Sequence, residues 1–299
     1  MRPAFTSHGG ISIDLSVLQD IPPWEWPEDT GKTLLGILLD DQAAESDRVL
    51  AAELAGDYTV INDELAHALL ENLADGNRPE EVRGRAAISL GPVLEQGYIE
   101  EFEDPEAVPI TEPTFRRIQE SLHQLYADAG VPKHARRRIL EASVRAPQDW
   151  HGEAVRAAYA SEDEDWKLTG VFCMRFIRGF HEQILEALDS KNQSIHYEAV
   201  IAAGNWELDE AWPHVAALLD SKRTEKPLLL AAIEAAASIR PGEAAHTLIA
   251  LTNSRDEDIV EAAYEAMAMA QRPWAEDEEY EDDDDDYDDD DDDEDERTR

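Results

Sequence analysis

The sequence predicts an all-α fold, an α-solenoid in which helix pairs stack side by side. Three observations carry that expectation. From about residue 30 to 271, apolar residues recur at three- and four-residue spacing, the period of an amphipathic helix. Alternation of period two is nearly absent. YTVI at 58–61 is the best strand candidate, and it is too short to build a sheet. The helical segments also repeat. Ala87, Ile139, Val171, Val200, Ile233 and Tyr264 sit at the centres of similar small-residue runs, and the last five are 32, 29, 33 and 31 residues apart. One pair of helices cannot bury its own apolar face, so pairs recurring at that period must stack on each other.

The elements follow in chain order. Residues 1–29 form an arm. Within it DIPPWEWPED (20–29) sets Pro22, Pro23 and Pro27 around Trp24 and Trp26, a stiff extended stretch. It is expected to pack on the first helices and cover the open end of the stack. The other reading is a short linear motif for another protein. DTGKT (29–33) lacks the glycine of a P-loop, because Trp26 stands at that position, and reads as a helix start. The solenoid spans 30–274. Pro79, Pro132, Pro147 and Pro241, with the Asp-rich junctions near Asp163 and Asp256, mark helix starts. The gap from Ala87 to Ile139 is 52 residues, and its excess is an acidic, Pro-containing insertion at about 95–113. Clear stripes follow: Phe115, Ile118, Leu122 and Leu125, then Leu208, Ala211, Val215 and Leu218, then Ile259, Ala262, Ala263, Ala266 and Met267. A helix over 163–180 is apolar nearly all round, through Trp166, Leu168, Val171, Phe172, Met174, Phe176, Ile177 and Phe180, and is expected to be buried on several sides.

Residues 275–299 form an acidic tail. It has 19 acidic and 2 basic residues, and Tyr280 and Tyr287 are its only large apolar groups. Self-repulsion and chain entropy predict disorder. The whole chain of 299 residues carries a formal net charge of −42, and residues 1–274 alone carry 49 acids against 24 bases. That surface repels phosphate backbones and anionic lipid, so neither nucleic acid nor membrane is an expected partner. A protein partner is expected, with basic proteins the natural opposite. The competing reading is that the acids serve solubility or a salty cytoplasm, since only 6 of the 26 basic residues are Lys. One cysteine excludes a disulfide framework and a four-thiolate metal site. The absence of a membrane-length apolar run and of a secretory leader pattern predicts a cytoplasmic protein.

Three segments carry a family resemblance. PEEVRGRAAISLG (79–91), NQSIHYEAVIAAGNW (192–206) and DEDIVEAAYEAMAMA (256–270) resemble HEAT repeats, particularly the short bacterial kind named after phycobilisome lyases. That kind reads Asp, a short gap, Val-Arg, then an Ala-rich run ending in Leu-Gly. The first segment matches it with Val82, Arg83, Ala86, Ala87, Leu90 and Gly91. The others depart at the arginine: His196–Tyr197 and Val260–Glu261 have none, and Trp166–Lys167 keeps only a charge. The resemblance covers roughly 80–271, and 30–79 less clearly. It implies an armadillo-type superhelix and does not fix a function.

The resemblance also names chemistries to test. Deoxyhypusine hydroxylase holds two irons with several His-Glu pairs, whereas this chain has only His181–Glu182. HEAT-like DNA glycosylases need a basic groove, and only KHARRRIL (133–140) is locally basic. Bilin lyases share the repeat type, but no residue names a bilin site. Cys173 lies in the most apolar helix and reads as a core residue. No catalytic residue, metal ligand or cofactor is expected.

The expected role is therefore a non-catalytic adaptor or scaffold presenting a curved surface to another protein. The alternatives are an accessory enzyme resembling bilin lyases, and an acidic-tailed chaperone or decoy for basic proteins. By the resemblance, the second helix of each pair lines the concave side, here 112–129, 149–160, 181–189, 208–219 and 242–253. The candidate protein-binding residues are Arg116, Arg117, His123, Arg137, Trp150, His151, Trp206 and Trp212. For each Trp the alternative is packing at a repeat junction. A further expectation is that the acidic tail docks on the basic spot at Arg136–Arg138 and covers the groove.

Overall fold

A computed structural model describes residues 15–270 apart from 103, 105 and 106. The first fourteen residues and 271–299, which hold the acidic tail, lie outside the described residues. Within them there is no strand. The chain runs α1 (Leu15–Leu18), α2 (Thr30–Leu39), α3 (Glu45–Ala55), α4 (Asp63–Ala74), α5 (Glu80–Ile88), α6 (Gly91–Ile99), α7 (Glu112–Ala127) and α8 (Lys133–Ser143). It continues with α9 (His151–Tyr159), α10 (Glu164–Cys173), α11 (His181–Ala187), α12 (Gln193–Asn205), α13 (Trp212–Asp220), α14 (Lys226–Ile239), α15 (Pro241–Leu251) and α16 (Glu257–Ala270).

The helices form two layers. In the first, α3, α5, α8, α10, α12, α14 and α16 each pack on the next. The other layer holds α2, α4, α7, α9, α11, α13 and α15, and each of these packs on the first-layer helix that follows it. Helix α6 is extra and packs against α7 and α8. This is the all-α helix-pair stack that the sequence predicts. Of the six register positions, Ala87, Ile139, Val171, Val200 and Ile233 are buried in the first layer. Tyr264 is exposed on α16, the last of the described helices. The core is two contiguous clusters that divide inside α8, with Ile139 in the N-terminal one and Leu140 in the other.

Small residues set the spacing within the stack. A Cβ added to Gly204 in α12 would lie 2.8 Å from Ala235 Cα in α14, and one on Gly170 in α10 would lie 2.8 Å from the Tyr159 amide nitrogen. Polar side chains then tie the helix ends. Asn62, Asp163, Asn192 and Asp256 accept backbone N–H groups at the starts of α4, α10, α12 and α16, which is N-capping. Lys133 bonds to Asp163 and Asp165 one repeat on, and Lys226 does the same with Asp256 and Asp258. Arg48 and Arg83 donate to the Asp40 and Leu73 carbonyls at 2.6 and 2.8 Å, covering the ends of α2 and α4.

Three local expectations change. The segment 163–180 is not one helix: α10 ends at Cys173, and Gly179, at φ 94°, helps turn the chain into α11. Pro147 does not open a helix, since α9 begins at His151. The insertion at 95–113 begins inside α6, then returns through Glu101 and Phe102 at φ 50° and 59°, with Phe102 packed edge-on against Phe115. At the N-terminus, Leu15 and Leu18 are buried, and the Trp26 indole donates to the Leu18 and Ile21 carbonyls at 3.0 and 3.3 Å. No described helix is long and apolar enough to cross a membrane.

Candidate functional site

The residues that gather into a site lie on the first layer. In α8, Arg137 and Glu141 are four apart and share a face. Both turn inward, at 8% and 4% exposure. The Arg137 Nε donates to Thr169 Oγ1 in α10 at 2.9 Å, and Thr169 donates to Glu141 at 2.6 Å. The second Glu141 oxygen accepts from Arg138, whose side chain is partly exposed. Arg137 also faces Asp165 at 3.5 Å. A buried carboxylate without such partners would cost several kcal/mol. Here a hydroxyl and two guanidinium groups satisfy it, and they fix Arg138 at the surface.

One turn further along, Arg145 pairs with Glu95 at 2.6 Å, and Arg175 with Glu198 of α12 at 3.1 Å. Both guanidinium groups lie over Phe172 and Phe176, between 5.2 and 5.8 Å from the ring centres. Such contacts hold the cations over apolar surface. Burial raises the Glu198 carboxyl above its ordinary value, and the Arg175 charge offsets part of that.

Of these side chains Arg137, Arg138, Glu141, Arg145, Phe172 and Glu198 wall an open groove of about 800 Å³. It crosses α8, α10, α12 and α14, with Leu168, Phe172, Tyr197 and Leu228 as its apolar lining, and Arg138, Arg145, Arg223 and Glu225 among its polar groups. A second cleft of about 520 Å³, lined by Leu18, Ile21 and Trp26, shares Ile88 and Arg145 with it. The two are neighbours on the molecule, with Ile88 and Arg145 as shared wall residues.

The candidates from sequence are placed differently. Arg116 and Arg117 are exposed on α7, and Arg116 pairs with Glu112. His123 stacks on Trp150 at 4.7 Å, and Tyr126 and His151 join the same aromatic cluster. Trp150 is half-buried, and its indole donates to Gln148. Trp206 donates to the Met174 carbonyl at 2.6 Å under Arg178, and Trp212 lies beneath Arg240. Each of these tryptophans joins neighbouring elements. His151 is fully buried and does not face solvent, and Arg137 is nearly buried at the wall of the groove. Their charge or ring is satisfied by Thr169, Glu141 and Ser143 instead. The eight do not converge on one site, and the groove lies on the layer opposite the helices expected to line it. Sequence reasoning missed Arg145, Phe172, Arg175 and Glu198 as a set. The signal was the repeat period itself, which sets Arg145 and Arg175 thirty residues apart.

Three groupings of potentially reactive side chains have their geometry accounted for by local packing. His151 Nε2 lies 3.0 Å from Ser143 Oγ, but its Nδ1 accepts the Gln148 N–H at 2.9 Å. The proton is therefore on Nε2, and the ring donates to Ser143 instead of activating it. Burial also lowers the His151 pKa to about 4. The Cys173 thiol is pushed well up by burial, the opposite of a reactive thiolate. His196 and His214 face each other through Nε2 at 2.7 Å, and burial holds both pKa values down. Among the described residues no three His, Cys, Asp or Glu side chains cluster as metal ligands.

No family model matches the chain, and no curated protein matches it. Solved structures do. The X-ray structure of YibA from E. coli aligns with a TM-score of 0.43 at 15% identity, over 85% of each chain. Human deoxyhypusine hydroxylase in complex with glycerol aligns at 0.39 and 16%, over 87% of this chain and 96% of that one. An engineered protein aligns at 0.40 and 16%, over 82% and 79%. Likeness at this level does not bear on what the chain binds.

Proposed function

We propose that the protein is a non-catalytic scaffold of the HEAT-repeat kind, which holds an extended segment of a partner protein along the first-layer groove. The carrying observation is an open groove that crosses α8, α10, α12 and α14, with a second cleft beside it that shares the wall residues Ile88 and Arg145. A channel crossing several helices suits a peptide better than a compact small molecule. Its lining supports the same reading. Apolar surface from Leu168, Phe172, Tyr197 and Leu228 lies beside Arg138 and Arg145, held by Glu141 and Glu95, as in a recognition surface built from aromatic and Arg anchors. Outside the groove the acidic surplus favours a partner with basic flanks and disfavours nucleic acid. We place the protein in the cytoplasm.

Photo-crosslinking in the native cell tests this. A benzophenone side chain replaces Tyr197 in the groove, or Ala217 on the exposed side of α13. The expected result is a discrete protein adduct from position 197, reproduced with the purified partner and absent from 217. Adducts only from 217, or from neither position, would refute the groove assignment.

A further inference from the structure

We infer that the acid-rich segment 276–296 of this same chain occupies the groove when no partner does, and so competes with the partner from within. The inference rests on the proposed function, because it assigns a second occupant to the same groove.

Charge selects the place. Residues 133–145 hold five Lys or Arg against one Glu, in a body with 25 more acids than bases, and although Asp163, Asp165 and Glu95 meet Lys133, Arg137 and Arg145, Arg138 keeps part of its guanidinium free at the groove. A segment with 19 carboxylates is repelled by most of its own protein and drawn to that island. The island has donors to spare. Glu141 takes a single Arg138 nitrogen and leaves the rest of that guanidinium at the groove wall. At the other end of the groove Arg223 is exposed, with no carboxylate partner among the described residues.

Chemistry matches as well. The segment carries Tyr280 and Tyr287 among its acids. A tyrosine ring fits the apolar surface of Leu168, Phe172 and Leu228, with arginines beside it to meet the flanking carboxylates.

Length chooses between the two tyrosines. The described chain ends at Ala270 in α16, and three first-layer steps separate α16 from α10. At about 8–10 Å per step the span is about 30 Å. An extended chain covers about 3.3 Å per residue, so Tyr280 barely arrives while Tyr287 arrives with slack. Tyr287 is therefore the ring assigned to the groove, with its neighbouring aspartates on Arg138 and Arg223.

The test uses the full chain with a spin label at Asp289→Cys. Cys173 is fully buried and stays unlabelled. Paramagnetic broadening of backbone amides reports what the label approaches. The expected result is strong broadening at Arg138, Tyr197 and Arg223, little at α4, no dependence on protein concentration, and loss in 0.5 M salt, beyond the ~10 Å screening length of about 0.1 M. Arg223→Glu breaks no ion pair seen in the structure and should keep the fold. It should weaken the broadening on the order of two- to fivefold, the worth of one exposed pair. Tyr287→Ser should weaken it further. Broadening spread evenly over the surface, or unchanged in Arg223→Glu, would overturn the inference. If the groove stays unbroadened yet the partner still crosslinks from position 197, the inference falls and the proposed function stands. If neither reaches position 197, both fall.

Discussion

Replacing Gly204 with alanine should split the stack between α12 and α14. The new Cβ would sit 2.8 Å from Ala235 Cα and 2.9 Å from Ala235 Cβ. Carbon atoms rest about 3.5–4.0 Å apart, so the overlap approaches an ångström. Neither contact is the far end of a flexible side chain, so the helices themselves must move. Overpacking of this kind costs about 1–3 kcal/mol. Gly36 is the control, because an added Cβ there meets nothing within 4 Å in the exposed middle of α2. Gly36→Ala should stabilise by about 0.5–1 kcal/mol, through helix propensity alone. Stacked repeats are held by nearest-neighbour interfaces, so the damage from Gly204→Ala should stay local. Native-state hydrogen exchange reads this directly. At about 2 kcal/mol, amides in α14–α16 should exchange roughly thirtyfold faster, while α2–α5 should not change. Equal loss in all helices, or no loss at all, would refute the close-contact reasoning.

Further consequences can be measured on the same protein. His151 has its pKa lowered from 6.5 to about 4 by burial, so the unfolded chain takes up the proton first as pH falls. Its contribution is complete above pH 6.5 and lost towards pH 4, by up to about 3 kcal/mol. His196 and His214 act in the same direction. Urea titrations between pH 7 and 5 should show a shallower fall for His151→Gln than for the parent. Asn192→Ala removes the cap that accepts the Ser194 and Ile195 amides and should cost about 1 kcal/mol by the same titration at pH 7. Cys173, buried and with a raised pKa, should resist a thiol reagent at neutral pH until the chain is unfolded. Rapid labelling of the native protein would contradict its placement in the core.

The stack was legible because its signal is periodic and summed over many positions. Ile139, Val171, Val200 and Ile233 align by spacing alone, and all four are buried side by side. What stayed hidden depends on partners distant in sequence. Arg137 reads as a solvated charge until Thr169 and Glu141 are known to meet it inside. His151 reads as exposed until Gln148 and Ser143 take both its nitrogens. The end of α10 at Cys173 is hard to read, because Met174, Phe176 and Ile177 continue the apolar run in a turn instead of a helix. The groove lies on the layer opposite the one to which the family resemblance points. The side chains that wall it come from helices about thirty residues apart, and that period marks the buried positions more plainly than the exposed ones.

The account depends most on helices one repeat apart standing side by side in one layer. A nuclear Overhauser experiment on the native protein tests this at Gly204, whose α-protons should point at Ala235, 31 residues on. A strong cross-peak between the α-protons of Gly204 and Ala235 is the result expected of the stack. Its absence, with Gly204 instead contacting residues of a different helix, would contradict the two-layer arrangement and the groove built upon it.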